Sequence, residues 1–418
     1  GAVLDYRTID SFYDHPRVQG LAEMMNYPGV IGADPQVIEK IVAAQAHHKK
    51  IDGHAPDLLG NDLNAYIAAG VYSDHECHDA ADAVAKLERG QFIMIREGTA
   101  ARNLAALMPL MTPQYAERCM FCCDDKHPND LLEKGHIDYN IREAIRLGAD
   151  PILTIRVACH HAARYYLLNN RGAIAPGYLA DFVVIDNFQD FNIQQVFKKG
   201  VEMYDGTSVR DFPAPVIDPY LVRRAHDTFH LAHLTAEDFA ERRPRGIIGM
   251  VPGEIVTTDQ GYSDHIDPEW DILKSAVVER HQNTRHIGIG YLQGYGLKRG
   301  AVATSVSHDS HNIIVVGAGE EDMAAAVNRV AENRGGIVVM EGGRVQGEVA
   351  LPVAGLMSDG TLEEVNSALE AAKDAAFALG VSREIDPFMT LSFMSLPVIP
   401  TLRLTTRGVI DVDKQQYV

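Results

Sequence analysis

The sequence predicts an α/β protein. Over residues 1–172, parallel strands and helices alternate, as part of a (β/α)8 TIM barrel or as an open doubly wound sheet. Three observations carry this. Five short apolar segments recur, each followed by a helical pattern, at intervals of roughly 20–30 residues. A polar or ionisable residue closes each one: Glu23, His54, His75, Arg96-Glu97 and Asp124-Asp125. Beyond residue 172 the alternation gives way to short strands with turn punctuation. A barrel draws its chemistry from the ends of several strands, whereas an open sheet concentrates it at one switch point, so the second observation leans toward the barrel.

The elements follow in order. Val18–Ala22 reads as a strand. Asp34-Pro35 offers a helix cap and a proline at the first helical position, with Val37, Ile38, Ile41 and Val42 following at helical spacing. Lys50–Gly53 is the next strand, and a helix from Asn61 to Ala69 stops at Gly70. Val71–Asp74 is strand-like, and His78–Arg89 is helical up to Gly90. Gln91–Ile95 is a strand with a helix after Thr99, and Cys119–Cys123 completes the series before a helical stretch over Tyr139–Leu168. In 173–212, Asp181–Ile185 and Val196–Val201 are short strands, and the proline-containing stretch Phe212–Val216 is a linker. In 213–418, strands at Asn312–Val316 and Gly336–Met340 and helices at Asp322–Asn333 and Thr361–Leu379 predict a second α/β domain.

Composition narrows the function. A formal net charge of -19 argues against nucleic acid as a partner, because phosphate binding needs a basic surface. No apolar run approaches the roughly 20 residues that span a bilayer, and no secretory leader is present, so membrane association is not expected and the default compartment is cytoplasmic. The chain opens at Gly1 rather than Met and reads as lacking its beginning. Five cysteines, an odd number in a large chain, argue against a disulfide framework as the organising device. Cys119 and Cys122 form a C-x-x-C without a second pair, so reduced thiols in a buried strand are the better reading than a zinc ribbon.

A hydrolytic metal site in a barrel needs imidazole and carboxylate ligands converging from separate strands, with a position open for water. His54 and His75 sit just past successive strand ends, and Asp124 follows a later one. Spacing alone leaves a metal site and a set of structural side chains equally open.

Six segments go further. Gly20-Leu-Ala-Glu-Met24, Ile51-Asp-Gly-His-Ala55, Ser73-Asp-His-Glu-Cys77, Met94-Ile-Arg-Glu-Gly98, Phe121-Cys-Cys-Asp-Asp-Lys126 and Gly135-His-Ile-Asp138 occur in one order. Together with Ile174-Ala-Pro-Gly177, Ala180-Asp-Phe182, His308-Asp-Ser-His-Asn312 and Leu396-Pro-Val-Ile-Pro400, they resemble the adenine deaminase branch of the metal-dependent amidohydrolases over essentially the whole chain. The resemblance implies an amidohydrolase-type barrel in 1–172, β-sandwich strands in 173–212 and the family's C-terminal domain in 213–418. It implies that Glu23 bridges two divalent metal ions, manganese or iron with zinc compatible. His54 and His75 would be ligands from the fifth and sixth strands, and Asp124 the eighth-strand ligand and proton shuttle, with Asp125 beside it as the alternative. Arg96 and Glu97 would contact the purine or form a structural ion pair. His136 would lie near the metal or cap a helix, and His308 and His311 would belong to a lid or a surface loop. The implied reaction is hydrolysis of adenine to hypoxanthine and ammonia, in purine salvage, by a homodimer.

One departure stands out. Amidohydrolases carry a His-x-His pair at the first barrel strand, and none occurs in these 418 residues. The resemblance starts in mid-barrel, so the chain by itself is expected to fold poorly and to turn over little or no adenine. The competing expectations are a deaminase or cyclic amidohydrolase for another nitrogen heterocycle, and an inactive barrel remnant serving as a binding subunit. The unrelated zinc deaminases are excluded, since their H-x-E and P-C-x-x-C are absent and Arg118 precedes Cys119.

Overall fold

Gly20–Met24 (β1) pairs in parallel with Lys50–Gly53 (β2). Ser73–Asp74 (β3), Phe92–Arg96 (β4) and Cys119–Cys122 (β5) form a second parallel set in that order. These strands belong to the first of two units in a computed structural model that describes residues 3–418 apart from 100, 214, 242 and 253. The units are Val3–Ala214 and Pro215–Val418.

Helices separate the strands of the first unit for legible reasons. Asp34 accepts from the Gln36 N–H at 2.9 Å and Pro35 opens the helix Pro35–Ala46, whose Val37, Ile41 and Ala44 turn inward. Asp79 caps Ala80–Leu87 in the same way. The helix Gly60–Ala68 buries Leu63 and Tyr66. Gly53 marks a close approach of β2 to β3: a Cβ there would lie 2.1 Å from the Ser73 carbonyl oxygen, so only glycine fits. Ile51, Leu63 and Tyr66 share a core with Leu21 and Met24, while Ile93, Ile95 and Phe121 share another with Leu104, Ile141 and Val157.

Two expectations for this unit are corrected. The helix expected after Thr99 is absent among the described residues; Met108–Leu110 and Ala116–Arg118 make only single 3-10 turns. Pro109 and Pro113 lack the backbone N–H donors that a longer helix would need at those positions. The stretch Tyr139–Leu168 is likewise not one helix. Ile137–Arg146 ends at Gly148, whose φ is +100°, and a new start at Pro151 leads through Ile155 into a π-helical segment, Arg156–His161.

Phe182–Ile185 (β6), Ile193–Lys198 (β7) and Val201–Tyr204 (β8) make a three-stranded antiparallel sheet, with the Phe182 and Phe197 rings stacked 4.6 Å apart. The single strand expected over Val196–Val201 is therefore a hairpin, turned at Lys199-Gly200.

The second unit is built on an eight-stranded sheet in the order β10-β9-β12-β11-β14-β13-β15-β16. The strands are Arg245–Met250 (β9), Thr257–Ser263 (β10), Leu273–Val278 (β11), Ile287–Gln293 (β12), Ala301–Thr304 (β13), Ile313–Gly317 (β14), Gly336–Glu341 (β15) and Arg344–Ala350 (β16). Only β9 and β12 pair in parallel; every other neighbouring pair is antiparallel, so the expected α/β domain is a largely antiparallel sheet with helices on its faces. Alternation along β14 sends Ile313 and Val315 to the core beneath the helix Glu320–Glu332, and Ile314 and Val316 to the core beneath Leu362–Ala378. Leu402–Thr405 (β17), Gly408–Asp411 (β18) and Gln416–Tyr417 (β19) close the chain as a small antiparallel sheet. No helix among the described residues is long and apolar enough to cross a membrane.

Candidate metal centre

Glu23, His54 and His75 come together. Their ligand atoms fall within 4.8 Å of one another, although 21 to 52 residues separate them in the chain. Glu23 Oε1 lies 3.2 Å from His54 Nδ1, and Glu23 Oε2 lies 3.0 Å from His75 Nε2. Both imidazoles are buried and edge-on to each other, with ring centroids 5.9 Å apart.

The backbone beneath them is tied down. The His54 N–H donates to the Tyr66 hydroxyl at 3.0 Å, and that hydroxyl donates to the Met24 carbonyl at 2.7 Å, so one phenol joins the ends of β1 and β2. Asp74 accepts the Ala55 N–H at 2.8 Å, and the fully buried Lys86 ammonium donates to the Ala55 carbonyl at 2.7 Å. Asp74 and Asp82 carboxylates at 2.9 and 2.8 Å balance that ammonium. A buried lysine is tolerated only when paired in this way.

Asp124 does not join the Glu23–His54–His75 group directly. It belongs to a second group, His75, Glu76 and Asp124, that shares His75 with the first. Arg96 links the two: Nη1 and Nη2 grip Glu76 at 2.5 and 2.8 Å, and Nη1 also reaches Asp124 Oδ2 at 2.6 Å. The alternatives for Arg96 and Glu97 are purine contact and a structural ion pair; Arg96 makes its ion pairs with Glu76 and Asp124 instead of Glu97. Glu97 turns toward its own loop and accepts the Leu104 N–H at 3.4 Å. Asp125 accepts the Thr99 N–H through its backbone carbonyl. His136 stands at the start of Ile137–Arg146, but its ring makes no capping bond. His308 and His311 lie in the second unit with ring centroids 5.7 Å apart, His308 stacked on Phe393.

Sequence reasoning passed over Glu76. Its carboxylate Oε1 lies 3.3 Å from His54 Nδ1 and 3.4 Å from His75 Nε2. The signal was present in Ser73-Asp-His-Glu-Cys77. Strand alternation would put neighbours His75 and Glu76 on opposite faces, but β3 ends at Asp74, so both can turn to one side.

The electrostatics follow from that crowding. Burial pushes the Glu23 carboxyl up, but the His54 and His75 imidazoles beside it prevail and hold it at about 2. Burial lowers His54, while the Glu23 and Glu76 carboxylates raise it, to a net value of about 9. His75 is driven well above its ordinary value by the same pair against its burial. The donor set suits a divalent cation: two imidazoles and carboxylates, with both ring nitrogens of the buried His54 lacking any well-directed hydrogen bond among the described residues. Asp52 Oδ2 stands 4.0 Å from the outer ring nitrogen of His75, the side on which metal-binding histidines commonly meet a carboxylate.

A fold of alternating strands and helices with such a donor set fits a hydrolase of the amidohydrolase type, and residues 12–203 match the amidohydrolase family. Residues 253–416 match the adenine deaminase C-terminal domain. An adenine deaminase of Desulfatibacillum aliphaticivorans is 46% identical, the match covering 100% of this chain and 74% of that protein. One from Sinorhizobium fredii is 43% identical over 99% of this chain and 73% of its own length, and adenine deaminase 2 of Carboxydothermus hydrogenoformans is 43% identical with the same coverage. The chain belongs to the adenine deaminase family. Among solved structures, an N-acetyl-D-glucosamine-6-phosphate deacetylase from Mycobacterium smegmatis is similar over 48% of this chain and 59% of its own, at 18% identity and a TM-score of 0.38.

Proposed function

We propose that this protein hydrolyses adenine to hypoxanthine and ammonia at the centre formed by Glu23, His54, His75 and Asp124. The convergence of the first three side chains at ligand distance supports it most directly, together with full-chain similarity to adenine deaminases. Residues 1–172 would be the later part of a (β/α)8 barrel, followed by β-sandwich strands in 173–212 and the family's C-terminal domain in 213–418. Purine salvage in the cytoplasm by a homodimer is part of the same reading and rests on the resemblance alone.

Glu23, His54 and His75 would hold divalent metal, manganese or iron with zinc compatible and two ions per site as the family resemblance implies. When bound, such ions supply the Lewis acidity that makes water a nucleophile near neutral pH. The residues do the rest. Asp124, with its side chain 36% exposed and Oδ2 steadied by Arg96, takes a proton from the attacking water and passes it to the departing amino group. Water adds at the amino-bearing ring carbon, and the carbon–nitrogen bond to that amino group breaks. Adenine plus water thus balances against hypoxanthine plus ammonia. Arg96, engaged by Glu76, Asp124 and Asn103, is read as an orienting group. Glu97, whose carboxyl is raised by burial, is read as the purine contact, able to donate to a ring nitrogen when protonated.

The test is ammonia release by the whole open reading frame, loaded with Mn2+, from a panel of adenine, guanine and cytosine. Turnover of adenine above the others is expected; turnover of another base alone, or of none, would reject the reading. A Glu97→Gln variant is expected to lose turnover by on the order of 10-fold or more. Unchanged kcat and KM would remove Glu97 from the site.

A further inference from the structure

We propose that Glu76 is a further protein ligand of the cation held by Glu23, His54 and His75, and that Arg96 is the positioning residue that aims it. This rests on the reading of that centre given above. The geometry is a pair of imidazoles bracketed by two carboxylates. His54 Nδ1 stands 3.2 Å from Glu23 Oε1 and 3.3 Å from Glu76 Oε1. His75 Nε2 stands 3.0 Å from Glu23 Oε2 and 3.4 Å from the same Glu76 oxygen. Neighbouring donors around a cation with bonds of about 2.1 Å are separated by about 3.0–3.5 Å, and all four contacts fall in that range.

Glu76 serves the Arg96 guanidinium and also turns one oxygen toward two imidazole nitrogens. Its two oxygens take the guanidinium fork at 2.5 and 2.8 Å, and Oε1 faces the ring nitrogens as well. Ligating carboxylates are commonly held from outside by such a hydrogen-bonding partner. Glu76 and Arg96 are buried, at 6% and 4% exposure, and a buried carboxylate and guanidinium are tolerated only as a pair. Because Arg96 Nη1 bonds both Glu76 Oε1 and Asp124 Oδ2, one side chain sets the direction of a ligand and of the proton-carrying acid.

The experiment is Mn2+ titration of the whole open reading frame, followed by electron paramagnetic resonance and by calorimetry, for the parent protein, Glu76→Gln, Arg96→Met, the double variant E76Q/R96M, and His54→Ala. The double variant removes both buried charges together, so it keeps the test alive if E76Q alone does not fold. Loss of Glu76 is expected to weaken Mn2+ binding on the order of 10–100-fold and to alter the bound-ion spectrum. R96M is expected to weaken it less and leave the spectrum of a bound ion, and E76Q/R96M to be weaker than R96M. If E76Q, or E76Q/R96M relative to R96M, binds Mn2+ with parental affinity and spectrum while H54A is weakened, Glu76 is not a ligand and the centre itself stands. If H54A also binds as the parent does, the centre is wrong as well.

Discussion

The Tyr66 hydroxyl serves two strand ends at once, accepting from the His54 N–H and donating to the Met24 carbonyl, both inside the protein. Removing it leaves two buried polar groups without partners, each costly on that account. Tyr66→Phe is expected to lower unfolding stability by about 1–3 kcal/mol in urea titration, with the loss confined to the unit that carries it. An unchanged midpoint and slope would show that water or a neighbour replaces the phenol. Glu23 and His54 were legible in the sequence because each follows an apolar strand and falls in a family segment. Glu76 was not, because its neighbour His75 drew the assignment and the strand's early end at Asp74 cannot be read from periodicity. Tyr66 was invisible for another reason: an aromatic on the buried face of a helix looks like packing until its hydroxyl is seen between the ends of β1 and β2.

At the level of elements, local rules worked where nothing overrode them. Asp34-Pro35 starts its helix as capping chemistry requires, and Lys50–Gly53 is a strand at the expected residues. They failed at Thr99 onward, where prolines break the apolar pattern into single turns, and at Val196–Val201, where Lys199-Gly200 turns an apparent strand back on itself. In the second unit, β9 and β11 went unread because strands buried on both faces show no alternation for a sequence scan to catch. The β11–β12 connection offers a test of its own. Glu279 accepts the N–H groups of His281, Gln282 and Thr284 and the Thr284 hydroxyl at 2.6–2.9 Å. Burial opposes its charge, yet these bonds hold the carboxyl at about 2, below an ordinary 4.5. A depressed carboxyl contributes stability above its unfolded value and loses it as pH falls through the folded one. Glu279→Gln should therefore cost about 1–2 kcal/mol at pH 7, and the deficit should shrink as pH drops from 4.5 toward 2. A deficit independent of pH would assign the effect to packing instead.

For the molecule as a whole, the chain spans about three-quarters of the length of the adenine deaminases it matches, and its candidate chemistry resides in the unit Val3–Ala214. The three candidate ligand side chains arrive from the ends of β1, β2 and β3, each on its own element. Such a centre is a property of tertiary structure: no stretch of the sequence contains it, and local unfolding of any one strand would dissolve it. Its most direct test is diffraction from crystals grown with Mn2+, recorded at the manganese absorption edge. An anomalous peak bounded by Glu23, His54 Nδ1 and His75 Nε2 is predicted. Well-ordered density for those three side chains with no peak among them, or with the side chains apart, would contradict the account.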